Sequence, residues 1–296
     1  MTHLSVEPLG ELRDPVLITS FAGWNDAGEA ATAAVRWLVR HLAARRAGGF
    51  DPEEFHVFTD TRPTVRLVNN QRRISWPAHD LYLVQDAARP HDLLLLVARE
   101  PELRWRTYCD HLLDLAGGVG ITVVISLGAF LADTPHSRPV PVSGFATETG
   151  WWERLRDLGV SPSDYQGPTG IVGALHDFCR QAGVASVSLW ASVPHYLPTT
   201  ANPKAALALL RALDTLLGLG LDLGRLESAA AYFVRQVNEA ASRDRRFAGY
   251  LRELERRTEG AAPEEPATPP EPLPSAEEVI RDLEDFLRGR SGEGAD

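Results

Sequence analysis

Lysine is almost missing from this chain of 296 residues: Lys204 stands alone against 29 arginines. Arginine holds every other place where a generic positive charge suffices, so Lys204 could mark a place where a compact ammonium is wanted instead of a planar guanidinium. Chance survival of one lysine is the plainer alternative. Positive charge of any kind is scarce, since 30 Lys plus Arg face 40 Asp plus Glu, for a net charge of −10. That balance argues against a nucleic-acid partner, whose phosphates favour basic surfaces. The local arginine groups, Arg104/Arg106 and Arg243/Arg245/Arg246, lie among acids and read as solvated faces. Only two cysteines occur, Cys109 and Cys179, too few and too far apart for a disulfide framework or a zinc site. A reducing, cytoplasmic setting is expected. No apolar run reaches the roughly 20 residues of a membrane span. The opening Met-Thr-His-Leu-Ser-Val-Glu-Pro lacks the basic start and apolar stretch of a signal peptide. No membrane association is expected.

Familiar enzyme signatures are missing too. No Gly-x-Gly-x-x-Gly follows a strand, and Lys204 follows Pro203 where a P-loop needs Gly-Lys. Val124-Ile-Ser-Leu-Gly128 has a serine after an apolar strand, but Val124 stands where a nucleophile elbow has glycine. No paired cysteines and no His-Glu-x-x-His point to metal. Neither a metal nor a cofactor is expected.

What is present is an alternation of strands and helices. Val16-Leu-Ile-Thr-Ser-Phe21 reads as a strand, and Glu29 to Leu42 as the helix after it. Phe55-His-Val-Phe58 and Leu93-Leu-Leu-Leu-Val97 are further strand candidates, the second apolar throughout, as a strand buried on both faces must be. A helix over Thr107–Ala116, ended by Gly117-Gly118, precedes another apolar strand, Thr122–Leu127. A helix over Gly170–Ala182 precedes the strand Ser186–Val193. This alternation predicts an α/β fold of three α/β/α layers around a mostly parallel sheet.

The C-terminal third predicts helices only. Pro203 to Leu217 is amphipathic, with proline in its first turn. Apolar residues then recur at Leu226, Ala230, Phe233, Val237, Ala240, Phe247, Leu251 and Leu254, in steps of three and four broken only at Asp244. Such a seam packs as a helical hairpin within the chain, the expectation here, or against another subunit. A Pro/Glu-rich linker comes next, and then Ser275 to Leu287, which opens on the capping box Ser275/Glu278 and carries one apolar face suited to docking. The expected organisation is a core over 1–202, a helical extension over 203–257, a linker over 258–274 and a docking helix over 275–288.

Four loops following probable strands should gather at the carboxyl edge of the sheet, where open α/β folds bind ligands. They are Gly23-Trp-Asn-Asp-Ala-Gly28, Gly128 to Pro141, Tyr165-Gln-Gly-Pro-Thr-Gly170, and the segment carrying His195, Tyr196 and Lys204. The candidate ligand-binding residues are Asn25, Asp26, His136, Arg138, Thr169, His195 and Lys204, with the helix after Gly170 offering its N-terminus to an anion. Each residue also has a structural reading. Asp26 and Asn202 can cap the helices that follow them, and the histidines can bond loop carbonyls.

Phe21-Ala-Gly-Trp-Asn-Asp-Ala-Gly-Glu-Ala30, Ser126 to Arg138, Tyr165 to Ile171, and Val193-Pro-His-Tyr196 with Asn202-Pro-Lys-Ala205 together resemble the proteasome assembly chaperone 2 family, in its actinobacterial branch. The resemblance runs from about Val16 through the C-terminal helices. It implies a core like that of the nucleoside phosphorylases with a helical extension, and self-association as a homo-oligomer, with a trimer as one form. It implies a non-enzymatic assembly or chaperone-like role with a protein partner, and it carries over no catalytic residues. Some members dock into the proteasome ring through a hydrophobic–Tyr–any C-terminus. This chain ends Gly292-Glu-Gly-Ala-Asp296, so the proteasome is a doubtful partner. The competing expectation is a nucleoside- or anion-type small-molecule binder, or a hydrolase, working at the four loops.

Overall fold

Runs that are mostly apolar, with only Ser or Thr among them, must be covered on both faces, and four of them form the centre of a nine-stranded sheet. The computed structural model describes residues 3–198 and 200–260. The chain divides into two units, Met1–Glu255 and Arg256–Asp296, and the sheet belongs to the first. In chain order the strands are β1 (Leu4–Val6), β2 (Val16–Ala22), β3 (Arg45–Phe50), β4 (Thr64–Val68), β5 (Gln71–Ser75), β6 (His79–Val84), β7 (Leu93–Arg99), β8 (Val123–Ala132), β9 (Val142–Ala146), β10 (Ser161–Pro162) and β11 (Ser186–Pro194). The helices are α1 (Ala30–His41), α2 (Trp105–Val119), α3 (Thr149–Asp157), α4 (Ile171–Ala182), α5 (Pro203–Leu217), α6 (Gly224–Ser242) and α7 (Arg245–Gly260).

The sheet order is β1-β3-β6-β7-β2-β8-β11-β9-β10. The central strands β7, β2, β8 and β11 are parallel. Beyond them β6 and β9 pair antiparallel. Alternation along each strand assigns the layers. Val16, Ile18, Ile125 and Leu189 point into one apolar cluster with α1 and α5. Leu17, Phe21, Leu94 and Val124 point into the other with α2 and α4. This is the expected α/β/α sandwich with helices C-terminal to it. α5 belongs to one outer layer: Leu209, Leu210 and Leu213 are fully buried in the same cluster as the sheet. Close packing across neighbouring strands also explains Gly128 on β8, where a Cβ would lie 2.4 Å from the ring of Trp190, its register partner on β11.

Three expectations are corrected. Phe55–Phe58 is no strand. Asp51 accepts from Glu53 N at 3.0 Å and caps a 3₁₀ turn, Pro52–Glu54, that delivers the Phe55 ring against Phe50 and Tyr108 in the core. The adjoining His56 is buried, with its Nε2 2.6 Å from His79 Nε2, and His79 Nδ1 lies 2.9 Å from Tyr108 Oη. α2 runs through Gly117-Gly118 and stops only at Gly120, the residue with a left-handed φ of 70°. The apolar seam is two helices, since Asp244 accepts from Arg246 N at 2.8 Å and opens α7. Within α6 the buried positions are Ala230, Phe233, Val237 and Ala241, so the contact face steps to Ala241 and leaves Ala240 exposed. α6 packs against α5 within the chain. Residues 258–260 continue α7, while the rest of the expected linker and the helix over 275–288 lie outside the described residues.

Candidate functional site

All four loops reach the carboxyl edge, and their polar side chains form two groups. The first surrounds the loop after β2. A bridge between Asp26 and Ala129, with Ala129 N donating to Asn25 O at 2.8 Å, fastens this loop to β8. Asp26 is buried, and its carboxylate accepts from Ala31 N at 2.7 Å, Thr32 N at 3.3 Å and Thr32 Oγ1 at 2.5 Å. Burial raises its pKa, while the Thr32 hydroxyl and the two amides pull it back. It therefore ties down the start of α1. Gly28 has a φ of 59°, and a Cβ there would meet Asn202 Cβ at 3.0 Å and Thr200 O at 3.1 Å. Glycine lets this loop touch the segment before α5, whose Asn202 N donates to Gly28 O at 2.8 Å.

Asn25 reaches the other way. Its Nδ2 donates to Glu100 Oε1 at 2.7 Å, and the same oxygen accepts from Ile171 N at 2.9 Å, in the first turn of α4. The α4 N-terminus does hold an anion, and it is the chain's own carboxylate. Asn25 Oδ1 is buried and accepts no hydrogen bond among the described residues. Thr169 stands apart: it is exposed, and its Oγ1 reaches only Gly170 O, at 3.4 Å.

The second group surrounds the loop after β8. Tyr196 Oη accepts from His136 N at 2.9 Å and lies 2.9 Å from His136 Nδ1, while His136 Nε2 lies 3.0 Å from Asn238 Oδ1 on α6. With the Tyr196 hydroxyl donating to Nδ1 and Nε2–H donating to Asn238 Oδ1, the imidazole is neutral. Burial lowers the His136 pKa to match, with Asn238 opposing and Lys204 adding to the fall. Lys204 Nζ donates to His136 O at 2.6 Å and to Arg138 O. The ammonium thus closes the loop on α5, capping two carbonyls with a compact charge whose donors point in three directions. Arg138 joins the group through that carbonyl. His195 is exposed. Its Nδ1 lies 3.0 Å from Asp133 Oδ1, and its ring meets Tyr196 and Tyr250 edge-on. Ser137 Oγ donates to Glu255 Oε1 on α7.

The structure therefore joins Asn25 and Asp26 to the α4 N-terminus, joins His136, Arg138, His195 and Lys204 to the C-terminal helices, and leaves Thr169 outside both. Behind the second group lies a groove of about 540 Å³ lined by Val140, Val142, Leu207, Arg211 and Val234, and of the seven candidates only Lys204 lines it. Around the edge stand large exposed apolar side chains: Trp24 beside Asn25, Phe130 and Leu131 at the end of β8, and Tyr165 before α4. Among the described residues no cluster of three His, Cys, Asp or Glu could hold a metal. Sequence reasoning missed Glu100 and Asn238. Glu100 had a signal, as it directly follows an apolar strand at this same edge. Asn238 had none, because only the fold of α6 over the loop brings it to His136.

The sequence pattern of the PAC2 family matches residues 20–241, which span all four loops and all seven candidate residues. The chain belongs to the PAC2 family. A PAC2 family protein from Streptomyces avermitilis is 42% identical, with a TM-score of 0.73 over 80% of this chain and 99% of that one. A Mycobacterium tuberculosis proteasome-assembly chaperone homologue is 38% identical, with a TM-score of 0.72 and the same coverage. These relatives place the chain with the actinobacterial PAC2 proteins. Pyrococcus furiosus PbaA, an archaeal homologue of proteasome-assembly chaperone, shares the fold at 19% identity and a TM-score of 0.58 over 83% of this chain and 97% of that one. No curated protein matches the chain. Among the described residues of this PAC2 protein, no helix is long and apolar enough to cross a membrane.

Proposed function

We propose that this PAC2 protein is a non-enzymatic, chaperone-like protein that binds a protein partner at the carboxyl edge of its sheet. One observation carries the reading. The polar groups of that edge bond one another: Asp26 caps α1, Glu100 fills the α4 N-terminus, His136 sits between Tyr196 and Asn238, and Lys204 holds two carbonyls. Large apolar side chains face outward beside them, with Trp24 61%, Phe130 40% and Leu131 47% exposed. An apolar rim over a floor whose polar groups mostly bond one another suits a protein surface better than a substrate. The chaperone homologue among the relatives gives the class of role. The buried free thiols Cys109 and Cys179 suit a reducing, cytoplasmic setting. The unpartnered Asn25 Oδ1 favours a second reading, a small ligand beside Trp24, but the anion position next to it is already taken by Glu100.

The test is a photo-crosslinking residue placed at Phe130 and, as a control, at exposed Arg180, each in the full chain expressed in its source cells. A discrete adduct of higher mass is expected at Phe130 alone. Equal labelling at both positions, or none at Phe130, would overturn the reading.

A further inference from the structure

Between β3 and β6 the chain leaves the core and makes a hairpin that pairs with no other strand among the described residues. β4 and β5 run from Thr64↔Ser75 to Val68↔Gln71. Asn69 and Asn70, with φ of 49° and 60°, form the two-residue left-handed turn that matches strand twist. Every residue of both strands is exposed. The register places Val65 opposite Ile74 and Leu67 opposite Arg72 on one face, where Val65, Ile74 and Leu67 are 62%, 59% and 71% exposed. The other face sets Arg66 directly opposite Arg73, a like-charge pair that opposes pairing. From Thr61 to His79 there are four arginines and no carboxylate, in a chain of net charge −10. A lone two-stranded hairpin is marginal in water. This one is held at its root, where Thr61 and Val57 N donate to Glu102 and Trp76 packs on Phe58. Its apolar face and its arginines both call for a cover that is apolar and acidic.

The far end of the same sheet offers one. A groove of about 390 Å³ is lined by Phe145, Thr147, Glu148, Trp152 and Pro162, with Phe145 48% exposed. From Gly144 to Tyr165 four carboxylates, Glu148, Glu153, Asp157 and Asp164, stand against Arg154 and Arg156. Five strand spacings separate β6 from β9, about 24 Å, whereas five-residue strands reach only about 17 Å. Anchored at its root by Thr61 and Trp76, the hairpin is held on the β6 side of the sheet, away from its own groove. We propose that the β4–β5 hairpin of one copy docks into the β9–α3–β10 groove of a second copy. The two surfaces differ and lie at opposite ends of the sheet, so the contact is head-to-tail and each copy uses both.

Sedimentation velocity on the full chain tests this. The wild type should sediment as an oligomer. Leu67→Asp/Ile74→Asp in the hairpin and Phe145→Asp in the groove should each sediment as monomers, with unchanged circular dichroism because these side chains are exposed. Mixed in equal amounts, the two variants should form a one-to-one dimer, since one keeps its groove and the other its hairpin. Arg66→Glu/Arg73→Glu, which reverses the charge of this pair without touching the apolar face, should also dissociate. A monomeric wild type, an oligomeric hairpin variant, or a hairpin that captures a different protein while the chain stays monomeric would overturn the proposal. So would a mixture that stays monomeric, or a Phe145→Asp variant that remains oligomeric, which is what a hairpin-to-hairpin contact gives.

Discussion

Replacing Lys204 by methionine keeps the apolar stem and deletes only the ammonium. The structure assigns that ammonium two acceptors, His136 O at 2.6 Å and Arg138 O. Both belong to the loop that also carries the bonds of His136 to Tyr196 and Asn238. Hydrogen bonds from a charged donor contribute roughly 1.5–3 kcal/mol each. Burial opposes them, and it lowers the Lys204 pKa from its ordinary 10.5. The net loss in Lys204→Met should be about 2 kcal/mol. At roughly 2–4 °C per kcal/mol for a chain of this size, Tm should fall by roughly 4–8 °C, read by circular dichroism and by urea unfolding. Proteinase K, which needs no particular residue, should also cut the loop around Ser137 faster than in the wild type, because the loop has lost its anchor. Lys204→Arg restores charge but not the compact geometry, and should recover less than half of the loss. A methionine variant within about 0.5 kcal/mol of wild type, the range of ordinary surface changes, would refute the anchoring role. An arginine variant as stable as wild type would refute the need for an ammonium.

Glu100→Ala removes the acceptor shared by Ile171 N and Asn25 Nδ2, leaving a buried amide with neither end paired. The expected cost is about 1–3 kcal/mol, and in a double-mutant cycle with Asn25→Ala the two losses should fall short of additive, whereas full additivity would show that the pair does not couple. Burial lowers the histidine pKa values from 6.5 to about 4 at His176 and about 3 at His79, so the unfolded chain takes up these protons before the fold does. Stability is then full above about pH 6.5 and declines as pH falls toward 4, by up to about 1.4 kcal/mol per pH unit for each histidine. Urea unfolding from pH 7 to 4 should show this slope, reduced in His176→Gln, and a flat profile would contradict the burial argument.

The hairpin shows how a signal can be present and still pass unread. Thr64–Val68 and Gln71–Ser75 flank Asn69-Asn70, a two-residue turn signature. Their side chains lack a buried face, and apolar periodicity is the evidence a sequence reading leans on. Phe55–Phe58 failed in the opposite sense, since its apolar residues are core anchors on a turn instead of a strand. Glu100 was legible in principle from its place after β7. Asn238, Tyr250 and Glu255 were not, because α6 and α7 meet the loop after β8 only once the helices fold across it.

By itself the sequence determined the four central strands, the helices between them, and the caps Asp26 and Asn202. These arise from mostly apolar runs and from side chains bonding amides a few residues away, which are local matters. Tertiary structure alone decided what the remaining polar residues do. It filled the α4 N-terminus with Glu100, a partner 71 residues distant, and turned Lys204 from a compositional oddity into the anchor of a loop 66 residues before it. Charges and buried polar groups take their meaning from neighbours across the fold, and those neighbours are chosen by packing, which no local pattern records.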